Sequence, residues 1–139
     1  MDSKKKRQIL LLALLIVNGI STILHYIDNF VNYDKYPQPT WITPDSIYLA
    51  WSVLTIFGVV GYLLYVKDVF LAAYACLGIY SLTGISSPGH YFYSAQHVFS
   101  GKMHLLIWLD ALAGVSLLIF ILRSALILKE WRKEREVNI

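Results

Sequence analysis

His25, His90, His97 and His104, together with Asp28 and Asp110, are the side chains of this chain best equipped for chemistry. His25, Asp28, Asn29, Asn32 and Asp34 crowd into residues 24–36, LHYIDNFVNYDKY, directly after an uncharged and mainly aliphatic run from Gln8 to Leu24. Polar side chains already begin inside that run, at Asn18. On a helix, positions three, four and seven apart share a face, so Asn18, Ser21, Thr22, His25, Asp28, Asn29 and Asn32 form one polar stripe. A lipid environment cannot be what such a stripe faces.

Neutral imidazoles beside carboxylates suit Zn, Mn or Fe, which makes His25, His90, His97 and His104 candidate ligands of a divalent transition metal. No HExxH, HxxxH or paired-glutamate pattern accompanies them. Without a metal, His25 is a candidate acid or base oriented by Asp28, and Asp110 is the third candidate catalytic group. A single haem held by His25 and His104 is a further alternative. The spacing of seven between His90, His97 and His104 would align them on one helix, but Gly101 is expected to interrupt it.

Asp110 lies about 12 Å into an apolar segment when counted from Lys102 at about 1.5 Å per residue. A charge there costs at least roughly 2.5 to 3.5 kcal/mol, so Asp110 must face the protein interior, be protonated or be paired. The same depth on the other segments falls at Asn18, at Trp51 or Ser52, and at Tyr80 or Ser81. Asn18, Trp51, Tyr80 and Trp108 are therefore the candidate ligand-binding residues for a lipophilic molecule. Each feature also has a plain structural explanation: histidines cap helices, and a buried Asp can serve as an interhelical hydrogen bond worth about 0.6 to 2 kcal/mol. Cys76, Tyr80, Thr83 and Ser87, with Gly58, Gly61, Gly78 and Gly84, read first as helix packing.

The elements that must position these residues follow from composition. The chain has 139 residues, 57% hydrophobic and 15% charged, too apolar for a water-soluble domain of this size. Crossing about 30 Å of hydrocarbon takes roughly 20 uncharged residues, and four segments qualify, at about 8–27, 45–66, 69–88 and 103–128. The first, preceded by Lys4 to Arg7, resembles the start of a signal peptide, but no A-x-A-like pattern follows; a retained helix is expected. The fold expected is all-α, one integral-membrane domain over residues 1–139: a four-helix antiparallel bundle with a short interfacial helix or cap between segments three and four, over Tyr91 to Ser100.

Placing Lys4, Lys5, Lys6, Arg7, Lys67, Arg123, Lys129, Arg132, Lys133 and Arg135 inside leaves only Lys35 and Lys102 outside. That asymmetry predicts both termini in the cytoplasm, in a cell (inner) membrane, and accounts for the basic charge without nucleic acid. Thr43-Pro44-Asp45 reads as a helix start, and the terminal KEWRKEREVNI as a solvated helical extension. The solitary Cys76 excludes CxxC chemistry and an internal disulfide. Membrane thiol oxidoreductases need cysteine pairs, rhomboid-like proteolysis a GxSxG, and two-haem cytochromes histidines on both sides; none is present. What remains is an outward-opening His/Asp/Asn cavity that binds a metal or a lipophilic small molecule, as a membrane enzyme acting on a lipid-like substrate or as a binding protein. The alternatives are a single-haem electron carrier and a structural subunit of a homo-oligomer or larger membrane complex.

Overall fold

The computed structural model describes residues 2–93 and 99–132, which are helices and turns with no strand among them. Helix α1 spans Ser3–Val31, with the Asp2 side chain accepting from the Lys4 amide as its N-cap. It runs four residues beyond the expected boundary at 27. A 3-10 turn at Tyr33–Lys35 and a loop stiffened by Pro37 and Pro39 lead to α2, Pro44–Val66. Thr43 and Ser46 close a capping box there, each side chain accepting from the other's backbone amide, so two otherwise unmatched donors are satisfied at the helix start.

The tight turn after α2 places Asp68 in the left-handed region, and α3 follows over Phe70–Ile85. This helix is shorter than the expected 69–88: Ser87–Phe92, with Pro88 inside it, forms a 3-10 helix instead. A proline lacks the amide that would continue the α-helical ladder. Helix α4 spans Gly101–Leu122 and continues as a π-turn over Arg123–Ile127. Ser100 caps its start, so His90 and His104 lie on separate elements rather than on one helix. The expected cap over Tyr91 to Ser100 rests in part on residues 94–98, His97 among them, which lie outside the described residues.

Three helices, Ser3–Val31, Pro44–Val66 and Gly101–Ile127, are long and apolar enough to cross a membrane. The sixteen residues of α3 give about 24 Å, short of the roughly 30 Å of hydrocarbon. Helix α2 packs on α3, α3 on α4, α4 on α1 and α1 on α2. Ile16, Val17, Ile20, Ile23, Leu24 and Ile27 of α1 are exposed, while Asn18, Thr22, His25, Asp28 and Asn29 of its polar stripe are buried. The periodicity thus turns the polar face inward and the aliphatic face outward, as a lipid surround requires.

Two glycines set the closest approach. A Cβ on Gly84 would lie 2.2 Å from the Asp110 carbonyl, and one on Gly114 would lie 2.6 Å from the Ser81 carbonyl; the backbones of α3 and α4 touch there, as small residues allow. Gly58 and Gly61 admit Tyr80 and Leu77 between α2 and α3. Gly78, by contrast, meets nothing within 4 Å and is not a packing glycine.

The apolar core sits toward the terminal end, where Leu11, Tyr65, Phe70, Leu77, Leu117 and Phe120 pack together. Below it the chain turns back on itself. Lys129 adopts a left-handed conformation, and Glu130 is only 3% exposed. The segment from Lys129 is therefore not a solvated extension at its start. Arg7 Nε lies 2.6 Å from Glu130 Oε1, an ionic contact rather than an aligned hydrogen bond. Tyr65 and Tyr74 donate to Oε2 at 2.8 and 3.5 Å. Lys4 pairs with Asp68 nearby, and only about 180 Å³ of space remains at this end.

Candidate functional site

The opposite, loop end joins a smaller apolar cluster of Tyr36, Met103 and Ile107 to a network of buried polar groups. Asp110, fully buried on α4, accepts at one oxygen from His25 Nδ1 at 2.9 Å and from Ser87 Oγ at 2.6 Å. A carboxylate oxygen there fixes the proton of His25 on Nδ1 and leaves Nε2 as an acceptor. That Nε2 is buried and has no partner. The close approach at Gly84 makes this arrangement possible: it places Ser87, one turn further along, against the Asp110 side chain.

Counting depth along α4 puts Asn18, Trp51 or Ser52, and Tyr80 or Ser81 in the layer of Asp110, whereas the structure pairs it with His25 and Ser87. Two physical reasons account for the shift. Helix α1 runs four residues past the expected segment boundary at 27, and helical side chains lean toward the N-terminus of their own helix. Asp110 therefore leans toward the loop end and His25 away from it, and they meet between their Cα levels.

Asp28 is not the orienter of His25. Its carboxylate accepts from Tyr36 at 2.7 Å, from Asn32 at 3.2 Å and from Lys102, tying α1 to the first loop and to the start of α4. Burial first, and the bond to Asp28 second, push the Tyr36 hydroxyl well above the usual phenol range. His90 Nδ1 lies 2.8 Å from the Pro37 carbonyl, which can only accept. Nδ1 therefore carries the proton, and Nε2 accepts from the Asn29 amide nitrogen at 3.3 Å. Burial holds His90 below the ordinary imidazole range, partly opposed by its bond to Pro37, in keeping with a neutral ring. The His25, His90 and Tyr36 rings pack at 5.0 to 5.7 Å between centroids.

Beside this network lies a cavity of about 690 Å³, within the size range of small-molecule sites. His25, Asn29 and His90 line it on one side, with Gln38, Pro39, Trp41 and Ile42 from the first loop. Ile47, Ala50 and Val53 of α2, with Thr83, Ser87 and Gly89, complete it. No Lys, Arg, Asp or Glu lines it among the described residues. Three lining side chains carry buried polar atoms without a partner: His25 Nε2, Asn29 Oδ1 and both amide atoms of Gln38.

The remaining candidates lie elsewhere. His104 Nδ1 is 2.8 Å from the Tyr91 hydroxyl, and its ring stacks on Tyr91, with Trp108 also against Tyr91; neither His104 nor Trp108 lines the cavity. Tyr80 is buried against Gly58, its hydroxyl beside Gly19. Trp51 keeps its indole N–H buried without a partner. Asn18 is fully buried, with both amide atoms unmatched, and lies outside the cavity lining. Among the described residues no three His, Cys, Asp or Glu side chains gather closely enough to hold a metal. A ligand role for His90 through Nε2 would also cost it the bond from Asn29.

Tyr36, Gln38 and Lys102 join the site although their sequence context does not single them out, and Ser87, read from the sequence as helix packing, bonds to Asp110. Ser87 carried a signal in its position one turn after Gly84; Gln38, in a proline-rich loop, carried none. No family model, curated protein or solved structure matches the chain.

Proposed function

We propose that this chain is a four-helix membrane protein with both termini on the cytoplasmic side, whose cavity at the opposite end binds a lipophilic small molecule. The observation that carries the reading is a cavity of about 690 Å³ whose described lining is mainly apolar, holds no charged side chain and includes the polar residues His25, Asn29, Gln38 and His90. A site of mostly apolar walls with a few polar groups is the general form of a small-molecule pocket. Support for the topology comes from the charges: Lys4, Arg7, Lys67, Lys129 and Arg132 gather at the end opposite Lys35 and Lys102, in the sense of the positive-inside rule.

The test uses protein in lipid nanodiscs and ω-bromo ten-carbon probes with hydroxyl, methoxy or carboxylate heads, which quench tryptophan fluorescence on contact. Trp41 reports from within the lining. Gly89 has open space where a Cβ would stand, so Gly89→Phe fills the cavity without striking the backbone. At least one probe should quench the wild type saturably and Gly89→Phe only in proportion to its partitioning. Proportional quenching by every probe in both proteins would remove the reading.

The Asp110–His25 pair favours a second reading, in which Nε2 takes a proton from the bound molecule during a reaction. A His25→Gln variant, able to hydrogen-bond but not to hold the proton, would then keep saturable binding and lose turnover.

A further inference from the structure

Helices α2 and α3 touch where Gly58 receives the Tyr80 ring and Gly61 receives Leu77: a Cβ on either glycine would lie 2.7 Å from that neighbour. Beyond Gly58, toward the loop end, the same two helices border the cavity instead. Ser46, Leu49, Ala50 and Val53 line it from α2, and Thr83 lines it near the end of α3, with Ser86 just past that end. The four α2 residues are spaced three, four and seven apart, which makes them one stripe on the helix. That stripe is not sealed. Leu49 is 66% and Val53 45% exposed, and Ala50 and Ser86 are exposed as well, while Ile47 and Thr83 of the same lining are buried. The cavity wall therefore runs out to the surface between α2 and α3, and its mouth lies on the side of the bundle.

The level of that mouth follows from helix length. Helix α2 has 23 residues, about 34 Å at about 1.5 Å per residue, against roughly 30 Å of hydrocarbon. Leu49 and Val53 stand about 8 and 14 Å along it from Pro44. Both then lie among lipid chains, in the half of the bilayer at the loop end. The space behind them offers few free polar contacts. Each Ser or Thr hydroxyl has one proton, and those of the lining are given to the chain itself: Ser46 to Thr43, Thr83 to Tyr80, Ser86 to Thr83 and Ser87 to Asp110. The other lining hydroxyls are the phenols of Tyr26 and Tyr93. His90 is engaged at both ring nitrogens, and both amide atoms of Gln38 are buried. A polar head drawn into this space would give up water for few bonds. Trp41 and Tyr93, both more than half exposed, stand at the loop end, where aromatic side chains meet head groups. We infer that the cavity is entered sideways, from the loop-end leaflet between α2 and α3, and that its occupant is the hydrocarbon chain of a membrane lipid whose head stays level with Trp41 and Tyr93.

This inference rests on the membrane and cavity readings above, and the experiment separates it from them. Protein in nanodiscs is irradiated with a phosphatidylcholine carrying a carbene-forming diazirine midway along one acyl chain, and separately with a short, water-soluble alkyl diazirine. Labelled residues are mapped by mass spectrometry. Ile56 and Leu63, exposed and outside the lining, report ordinary contact with the surrounding lipid. Ile47 and Thr83, buried and within the lining, report entry. The lipid probe should label Ile47 or Thr83 as well as the two exposed positions. Ala50→Phe and Ser86→Phe enlarge exposed side chains on either lip of the mouth. At least one of them should cut the inside labelling severalfold and leave Ile56 and Leu63 unchanged. Inside labelling that neither substitution reduces overturns the route between α2 and α3. Inside labelling by the water-soluble probe alone overturns the lipid occupant, and both results leave the cavity standing. If neither probe reaches Ile47 or Thr83, the cavity reading fails as well.

Discussion

Two buried carboxylates, Glu130 and Asp110, stand at opposite ends of the molecule, and their surroundings differ in kind. Glu130 has both oxygens engaged, by Arg7 on one and by Tyr65 and Tyr74 on the other, beside a space of only about 180 Å³. Asp110 takes both its donors on one oxygen and leaves the other unmatched. Its partner His25 carries a further unmatched nitrogen, and the His25 side chain lines a cavity of about 690 Å³. A buried charge closed upon its own chain fastens the fold. One whose partners end at an open space holds a group ready for something else. The difference lies in where the hydrogen-bond chain terminates, since both carboxylates are equally hidden.

The comparison breaks most visibly at Arg7. Arg7→Leu leaves Glu130 buried beside two hydroxyls and should cost about 3 kcal/mol of stability, the low end for a broken buried pair, because Arg7 keeps some contact with water. Thermal unfolding in one detergent measures it, and probe binding by the folded fraction should be unchanged; a loss below about 1 kcal/mol would mean that Glu130 does not fasten this end. Asp110→Asn should do the reverse. Stability falls by about 1 to 2 kcal/mol, as for a membrane hydrogen bond, and half-saturation by the tightest-binding bromo probe rises roughly tenfold because His25, which lines the cavity, is no longer held in one tautomer. Unaltered binding would detach His25 from Asp110.

His90 sharpens the comparison through pH. Burial depresses its folded pKa below the ordinary imidazole value of 6.5, so below about pH 6.5 the unfolded chain binds a proton that the folded chain resists. Stability is therefore full above that pH and declines as pH falls toward the folded pKa, by at most about 1.4 kcal/mol per unit. Melting curves from pH 7.5 to 5.5 should show the decline, and His90→Gln should flatten it. The smallest effect is expected at Asn18, on the same stripe but outside the lining. Asn18→Leu removes two unmatched buried atoms, and unfolding should shift by less than about 1 kcal/mol, toward greater stability. A loss of probe binding in that variant would extend the site about two turns deeper.

How far the sequence discloses this depends on how local each signal is. The start of α2 is legible in Thr43-Pro44-Asp45 because a cap is decided within four residues. The inward stripe of α1 is legible because its period is helical, and Asp110 because a carboxylate within an apolar run must be accounted for. Its partner is not legible. Choosing His25 over Asn18 requires the true length of α1 and the opposed lean of side chains on antiparallel helices. Gly84 and Gly78 look alike in sequence, and only the approach of α4 separates them. Glu130 sits in a run of charges that reads as solvated, and its burial depends on the π-turn at Arg123–Ile127 and the left-handed Lys129.

The Arg7–Glu130 contact also has an order in time. Arg7 belongs to the first turns of α1 and Glu130 follows α4, so the pair joins distant parts of the chain. In the topology proposed above, Arg7 acts alone early in synthesis, as one of the positive charges that hold its end of α1 on one side of the bilayer. Its partner arrives only after α4 has been made and the chain has reversed at Lys129. A charge that first orients the protein would then be consumed in locking it, so this end closes only when α1 to α4 are all in place.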